Sequence, residues 1–365
     1  MHQLQFIRLR ALAALALGLS GLCHVSALHA GDALAKPSRG AGTELLFTSM
    51  RTGSMQIFRI GADGSKEARL TQTQSAEIQP TWSGSGRIAF VSHRSGGGDI
   101  YTMNADGRDV RRLTTQPGLD HSPAWSSDGK RLAYVSERDG MSVLCVVNAD
   151  GSNEQVVSGA LTEVAGAEWS PDGSKLAFLA VINDKRRIAV ADLAAGSVGT
   201  VTDGKDGETG PIWSPDGKAI VYVQSGGRTE GINLRLVRLD NKASVALTPS
   251  TGYTNSQPRF SPDGKKILFL SNASSQGAKM NLSVMNADGT GITNLTHWDH
   301  ADMSATWSGD GRHIFFMSFR DWPGQVYRVD ANGGNLKRLT KSNAQEGFPV
   351  TRPAHSALAG GSQAH

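Results

Sequence analysis

The apolar residues of this chain alternate with polar ones in short runs that turn residues separate. In residues 80–114 the runs are Arg87–Val91, Ile100–Met103 and Val110–Thr114. Ser-Gly-Ser-Gly (83–86) and Asn-Ala-Asp-Gly (104–107) lie between them. Alternation with period two predicts half-buried strands, with Ile88 and Phe90 on one face, and Gly, Asn and Asp allow tight reversals. The segment therefore predicts a four-stranded antiparallel meander.

This unit recurs along most of the chain. An aromatic residue opens its first turn at Trp82, Trp125, Trp169, Trp213, Phe260 and Trp307, with separations of 43, 44, 44, 47 and 47 residues. A turn such as Ser-Pro-Asp-Gly follows the aromatic residue, and most units close on a Leu-Thr or Val-Thr pair. A period in the forties with four strands per unit is typical of β-propeller blades, since one small sheet cannot bury both of its faces alone.

The two ends of the repeated region complement each other. Residues 44–48, 56–60 and 67–71 match the second, third and fourth strands of a blade, but the first strand with its Trp is missing there. Residues 346–353 match that first strand. We therefore predict an all-β, seven-bladed propeller over residues 43–353, in which strands from both termini close the circle and pair an edge that would otherwise stay open.

The amino terminus has the pattern of an export signal. Arg8 and Arg10 precede the apolar run Ala11–Leu22, and small residues follow. This predicts a signal peptide over residues 1–30, with cleavage after Ala27, Ala30 or Ala35, and a linker over 31–42. The apolar run is too short for a transmembrane span, so we expect no such segment in the mature chain and a periplasmic or secreted location. Residues 354–365 are expected to form a disordered tail.

The repeated motifs resemble those of a known family. Pro211–Gly217 reads Pro-Ile-Trp-Ser-Pro-Asp-Gly, and Asp99–Gly107 reads Asp-Ile-Tyr-Thr-Met-Asn-Ala-Asp-Gly. They resemble the TolB-type β-propeller repeat, a relative of the WD-type repeats, and the resemblance covers about residues 43–353. It implies a propeller that binds proteins in the cell envelope. Function is implied only weakly, because the repeat also occurs in substrate-gating domains of peptidases and in polysaccharide lyases.

Aligning the units on the aromatic residue reveals a recurrent polar position five residues before it. It is occupied by Glu77, Asp120, Glu208, Asn255 and Asp302, by Val164 in one unit, and by Glu346 in the closing strand. In a propeller this position begins the innermost strand, at one mouth of the central channel. Like charges around a low-dielectric funnel attract cations or basic segments. The sequence therefore predicts Glu77, Asp120, Glu208, Asn255, Asp302 and Glu346 as ligand-binding residues.

A structural role for the same residues is the alternative. Arg51, Arg94, Arg138 and Arg320 recur in Ser-x-Arg loops on the same face and could neutralise the acids as ion pairs between blades. The fourth to sixth units have Asn183, Ser225 and Ala273 near the aligned place. We therefore expect Glu208 and Asn255 to be the less neutralised part of the mouth.

Metal-dependent chemistry has only scattered candidates. His297 and His300 stand close to Asp302, and His121 follows Asp120, so these three histidines are candidate metal ligands. No third fixed ligand accompanies the pair, so the expectation is no cofactor, with a divalent cation as the open alternative.

A non-enzymatic binding protein is the function that the sequence favours. No Gly-x-Ser-x-Gly nucleophile motif is present. The formal charge of +4, without a basic run, argues against nucleic acid as a partner. We expect a monomer that binds a protein or peptide partner at the acidic mouth. A metal-dependent polysaccharide lyase or hydrolase on the same scaffold is the alternative.

Overall fold

The computed structural model describes residues 43–204, 207–297 and 299–353. These residues form seven four-stranded antiparallel sheets, which are the blades of a propeller. The predicted signal peptide, linker and tail lie outside the described residues. None of the helices among the described residues has the length and hydrophobicity needed to cross a membrane.

Each blade runs from an innermost to an outermost strand. Blade 1 contains β1 (Glu44–Ser49), β2 (Gln56–Gly61) and β3 (Ala68–Arg69), with β28 (Glu346–Thr351) innermost. Blade 2 contains β4 (Glu77–Trp82), β5 (Ile88–Ser92), β6 (Asp99–Met103) and β7 (Arg111–Arg112). Blade 3 contains β8 (Leu119–Trp125), β9 (Arg131–Arg138), β10 (Met141–Asn148) and β11 (Gln155–Val156). Blade 4 contains β12 (Val164–Trp169), β13 (Lys175–Ile182), β14 (Lys185–Asp192) and β15 (Ser197–Thr200).

The remaining blades follow the same order. Blade 5 contains β16 (Glu208–Trp213), β17 (Ala219–Ser225), β18 (Ile232–Arg238) and β19 (Ser244–Ala246). Blade 6 contains β20 (Asn255–Phe260), β21 (Lys266–Ser271), β22 (Asn281–Asn286) and β23 (Thr293–Asn294). Blade 7 contains β24 (Asp302–Trp307), β25 (His313–Ser318), β26 (Gln325–Asp330) and β27 (Lys337–Arg338). A helical turn, α1 (Gly227–Glu230), and a 3-10 helix (Ala273–Ser275) lie in connecting segments.

The first blade is completed from both ends of the described chain, as the sequence predicts. Strand β28 pairs antiparallel with β1, and Leu46 lies opposite Val350. The first strands β4, β8, β12, β16, β20, β24 and β28 each contact the next one round the circle, and β28 contacts β4. These strands therefore line the central channel, and the prediction of a closed seven-bladed propeller is confirmed.

The alternating side chains are buried on both faces of a blade. Ile88 and Phe90 pack with Leu46 of blade 1, whereas Ala89 and Val91 pack with Tyr134 of blade 3. The alternation is thus as predicted, but the expectation of half-buried strands is wrong for β5, whose five residues are all buried. The reason is that each blade is covered by a neighbour on either side, so that every face becomes core.

The repeated tryptophans connect neighbouring blades near the channel. The indole Nε1 of Trp169 donates to the Ala124 carbonyl oxygen at 2.9 Å, and that of Trp213 donates to the Glu168 carbonyl oxygen at 3.0 Å. Each acceptor is the residue before the Trp of the preceding blade. These two indoles therefore tie neighbouring blades together, whereas the closing strand β28 has Thr351 at the equivalent position.

The Ser-x-Asp-Gly turns are held by their own side chains. In the turn after Trp125, the Ser126 hydroxyl donates to Asp128 Oδ1 at 2.6 Å, and the Lys130 amide donates to the same oxygen at 3.0 Å. Gly129 has a φ of +68°, which glycine adopts without steric cost. The carboxylate oxygen is thus used within the turn, which explains why Asp recurs there.

Candidate functional site

Five of the six predicted ligand-binding residues begin innermost strands and Asp120 is the second residue of β8, so that all six lie at one mouth of the channel. Their side chains are buried, with exposed fractions of 0 to 5% at Glu77, Asp120, Glu208, Asn255, Asp302 and Glu346. The structure therefore brings them to the predicted mouth but turns them into the protein, where hydrogen bonds and ion pairs surround them.

The glutamates of blades 1 and 2 each have an arginine partner. Glu346 accepts hydrogen bonds from Arg51 Nη2 at 2.8 Å and from the Ser49 hydroxyl at 3.0 Å. Glu77 accepts from the Thr73 hydroxyl at 2.6 Å, and Arg94 Nη2 lies 3.1 Å from its Oε2. Each arginine belongs to the Ser-x-Arg loop of the same blade as its glutamate. These two carboxylates are neutralised inside the protein.

The aspartates of blades 3 and 7 also have an arginine of their own blade nearby, but hydroxyl groups have a larger effect on their pKa values than the arginines do. Burial raises the pKa of Asp120, while hydrogen bonds with Ser136 and Thr114 lower it. Burial raises the pKa of Asp302 to about 6, although its hydrogen bonds with Ser318 and Thr296 act to lower the pKa. The guanidinium groups of Arg138 and Arg320, respectively, favour the ionised forms.

A threonine links each of these aspartates to the preceding blade. Thr296 closes blade 6, and its hydroxyl donates to Asp302 of blade 7 at 2.7 Å. The same hydroxyl oxygen accepts the Leu282 amide at 2.8 Å. Thr114, at the end of blade 2, likewise accepts the Ile100 amide at 3.0 Å and bonds with Asp120. The recurrent Leu-Thr pair is therefore part of the contact between blades.

Glu208 of blade 5 is surrounded differently. It accepts hydrogen bonds from the Thr202 hydroxyl and, at 3.3 Å, from the Ile188 amide. Its Oε1 has no hydrogen-bond partner among the described residues. Burial raises its pKa, and the charge of Asp203 acts in the same direction. Asn255, in the next blade, donates to the Ile232 carbonyl oxygen at 3.3 Å.

These contacts agree with the structural alternative in pairing acids with arginines, but the pairs lie within a blade and not between blades as expected. The acids of blades 1, 2, 3 and 7 interact with an arginine of their own blade, and the two remaining polar groups bond to neighbouring hydroxyls, amides or carbonyls. Direct contact with a ligand stays a prediction for all six. The weaker neutralisation near Glu208 and Asn255 agrees with the Ser-x-Arg pattern of the sequence.

A β-bulge in every innermost strand shapes the channel wall. Two residues after the mouth position the backbone has positive φ in all seven blades, at Gln79, Ser122, Gly166, Gly210, Gln257, Ser304 and Phe348. The strand pairing shifts register next to each of them. Such bulges re-aim side chains in a strand.

The bulge residues make the channel wall uneven. Gln79 Oε1 accepts the Ser122 amide at 2.7 Å, and Gln257 Oε1 accepts the Ser304 amide at 3.1 Å. Blades 4 and 5 have Gly166 and Gly210 at these positions, and no side chain stands there. Sequence reasoning missed this feature, although two glycines at one aligned position were a usable signal.

The candidate histidines fall into two places. His121 Nδ1 lies 3.0 Å from the Ser122 hydroxyl, and its Nε2 lies 3.6 Å from Glu137 Oε1, all within blade 3. His297 and His300 line a pocket between blades 6 and 7. Among the described residues, no group of three His, Cys, Asp or Glu side chains is arranged to hold a metal ion.

The pocket between blades 6 and 7 has a volume of about 570 Å³. It is lined by His297, Asp299, His300, Arg320, Asp321, Tyr327, Leu336 and Arg338. Trp322 follows Asp321 in the chain, and its side chain is 83% exposed. The repeat pattern does not require a Trp in this loop, and nothing in the sequence indicated the pocket.

Comparison with known proteins places the chain in a family. The family model described as the TolB beta propeller domain matches residues 84–253 and 210–364. The chain therefore belongs to the TolB β-propeller family, as its motifs suggest. An uncharacterized protein of Agrobacterium fabrum is 30% identical over 122 residues. That match covers 31% of this chain and 41% of the relative's length.

Several solved structures share the fold. TolB from Acinetobacter baumannii is 19% identical with a TM-score of 0.57, covering 86% of this chain and 80% of its own. A puromycin-hydrolyzing peptidase from Mycobacterium tuberculosis is 16% identical with a TM-score of 0.68, covering 87% of this chain and 55% of its own. An oligogalacturonate lyase from Vibrio parahaemolyticus is 14% identical with a TM-score of 0.62, covering 82% of this chain and 85% of its own. At these identities the similarity shows the fold alone.

Proposed function

We propose that this chain is an exported, non-enzymatic binding protein of the cell envelope. In this proposal a partner protein inserts a segment into the channel mouth along blades 4 and 5. Membership of the TolB β-propeller family supports a binding role, and the amino-terminal signal supports export.

The bare channel wall of blades 4 and 5 is the observation that carries this proposal. Gly166 and Gly210 occupy positions where the other five blades carry side chains. Ala165 is exposed and Thr209 half-buried beside them. Innermost strands have an unpaired backbone edge, to which an extended segment can add by main-chain hydrogen bonds. Gly166 and Gly210 are themselves buried, so in this proposal the partner segment lies over the exposed Ala165 and the half-buried Thr209.

Charge favours the same side of the mouth. Glu208 begins β16, and its Oε1, like one oxygen of Glu77, Asp120 and Asp302, has no hydrogen-bond partner among the described residues. Among the described residues no ion pair joins a cation to Glu208, and a basic residue of the partner would stabilise its ionised form. In contrast, Glu77 and Glu346 already bind Arg94 and Arg51. The proposed ligand is thus a protein segment with a basic residue.

The test is capture of a partner by the purified protein from an envelope extract of the encoding organism. We expect one protein to be captured by the parent chain and lost with Ala165→Trp, which fills the bare wall. Val245→Trp, on the outermost strand β19 of blade 5, serves as the matched control, because Val245 is already 52% exposed. Glu208→Gln is expected to weaken capture. Equal capture by the parent and by Ala165→Trp and Glu208→Gln would disprove docking at this mouth.

A further inference from the structure

The pocket between blades 6 and 7 is separate from the bare wall on blades 4 and 5. We propose that it binds a neutral oligosaccharide, with Trp322 as the surface on which a sugar ring stacks. A volume of about 570 Å³ lies in the range of small-ligand sites, which is roughly 300–1,000 Å³. A ligand of one or two sugar rings fits this size.

The lining offers both donors and acceptors of hydrogen bonds at no net formal charge. Arg320 and Arg338 balance Asp299 and Asp321 when the imidazoles of the two histidines are neutral. A hydroxyl group both donates and accepts, so a polyhydroxylated ligand can use the guanidinium and the carboxylate groups together. The carboxylates of Asp299 and Asp321 would repel a phosphate or a polyanion. The balance therefore favours a neutral polar ligand.

Part of the pocket is held rigid by its own contacts. Arg338 Nη1 lies 3.1 Å from Asp321 Oδ2, and Arg338 Nε donates to the Thr340 carbonyl oxygen at 2.6 Å. The Tyr327 hydroxyl donates to Asp321. The Arg320 guanidinium carbon lies 5.5 Å from the centroid of the Tyr327 ring. Binding a ligand to groups that are already ordered costs less conformational entropy.

Trp322 follows the lining residue Asp321 in the chain, and in this proposal its ring extends the site beyond the lining. Its side chain is 83% exposed, while the next most exposed large hydrophobic residue among those described, Val245, is 52% exposed. The Trp322 ring packs against Phe319 with 5.9 Å between centroids. The face of an aromatic ring carries partial negative charge and attracts the C–H groups of a sugar ring. Leu336 is the one aliphatic residue among the described lining residues.

Calorimetric titration of the full mature chain with cellotetraose, chitotetraose and maltotetraose tests the proposal, with trigalacturonate as the acidic comparison. We expect at least one neutral oligosaccharide to bind and Trp322→Ala to weaken that binding about tenfold. Asp321→Asn is expected to weaken it as well, and Val245→Ala to leave it unchanged.

Three results would overturn the proposal: no binding of any neutral oligosaccharide, tighter binding of trigalacturonate than of all three, or unchanged binding by the folded Trp322 and Asp321 variants. Ala165→Trp separates this site from the proposed docking mouth. It is expected to abolish partner capture while retaining oligosaccharide binding.

Discussion

Glu346 and Arg51 are 295 residues apart in sequence and form a two-point contact across the closure of the propeller. Arg51 Nε donates to Glu346 Oε1 at 3.0 Å, and Arg51 Nη2 donates to Oε2 at 2.8 Å. Glu346 begins β28, and Arg51 follows β1, the strand that pairs with β28. The contact therefore locks the strand from the carboxyl-terminal side onto the strand from the amino-terminal side.

Replacing Glu346 by Gln is expected to weaken this closure. The amide would leave the partly buried guanidinium with Glu67 as its remaining charge partner, and we expect the free energy of unfolding to fall by about 2 kcal/mol. Denaturant unfolding at neutral pH measures the difference. Asp240→Asn is the control, since the exposed pair of Asp240 and Arg238 should contribute less than about 1 kcal/mol. Equal effects of the two substitutions would contradict the assigned role of Glu346.

Glu168 should make the stability depend on pH. Burial raises the pKa of this carboxyl to about 8, and the charge of Arg259 lowers it. Between its ordinary pKa of 4.5 and about 8, the folded chain holds a proton that the unfolded chain has released. Stability from this group is therefore present at low pH and is lost as the pH rises through this window.

The Glu168→Gln variant tests that dependence, because glutamine stays neutral. We expect it to be more stable than the parent at pH 9, by an amount on the order of 3 kcal/mol, and similar to it at pH 4. Urea unfolding across this range gives the comparison. The exposed neighbour Glu163 provides the control Glu163→Gln, which should follow the parent. A constant difference between Glu168→Gln and the parent at all pH values would show that the carboxyl does not titrate in this window.

Removing divalent metals should leave the fold intact. Each mouth carboxylate already has at least one hydroxyl, amide or guanidinium neighbour, for example Thr296 at Asp302 and Arg94 at Glu77. We therefore expect dialysis against EDTA to leave the thermal midpoint unchanged and elemental analysis to find substoichiometric metal. Stoichiometric Mn, Ca or Zn that is lost together with His297→Ala or His300→Ala would instead support the metal-dependent alternative.

Local patterns predicted the blades well, because each depends on neighbouring residues in the chain. The alternation around Phe90 predicted a strand, and Asp128 with Gly129 predicted a turn, since a turn is satisfied by its own backbone and side chains. The position of Glu346 also predicted the closure, because its segment supplies the strand that blade 1 lacks. Every unit shares one register, so aligning the units predicted which residues meet at the mouth.

The direction of the mouth side chains could not be predicted in the same way. Whether Glu208 faces solvent or the interior depends on the bulge at Gly210, the Thr202 hydroxyl of blade 4 and the space between two blades. These groups meet only when the blades pack together. The pocket near Trp322 likewise joins residues of blade 7 to the segment that connects it with blade 6, and these residues are separated in the chain.

The amino-acid sequence by itself determined the repeat, its strands and turns, and the number of blades. These follow from periodicity and turn chemistry, which act over a few residues. The tertiary structure alone decided which polar groups are neutralised, where the channel wall is bare and where a pocket opens. Burial and charge pairing depend on the distance between blades, and that distance is set by side chains packed from both of them.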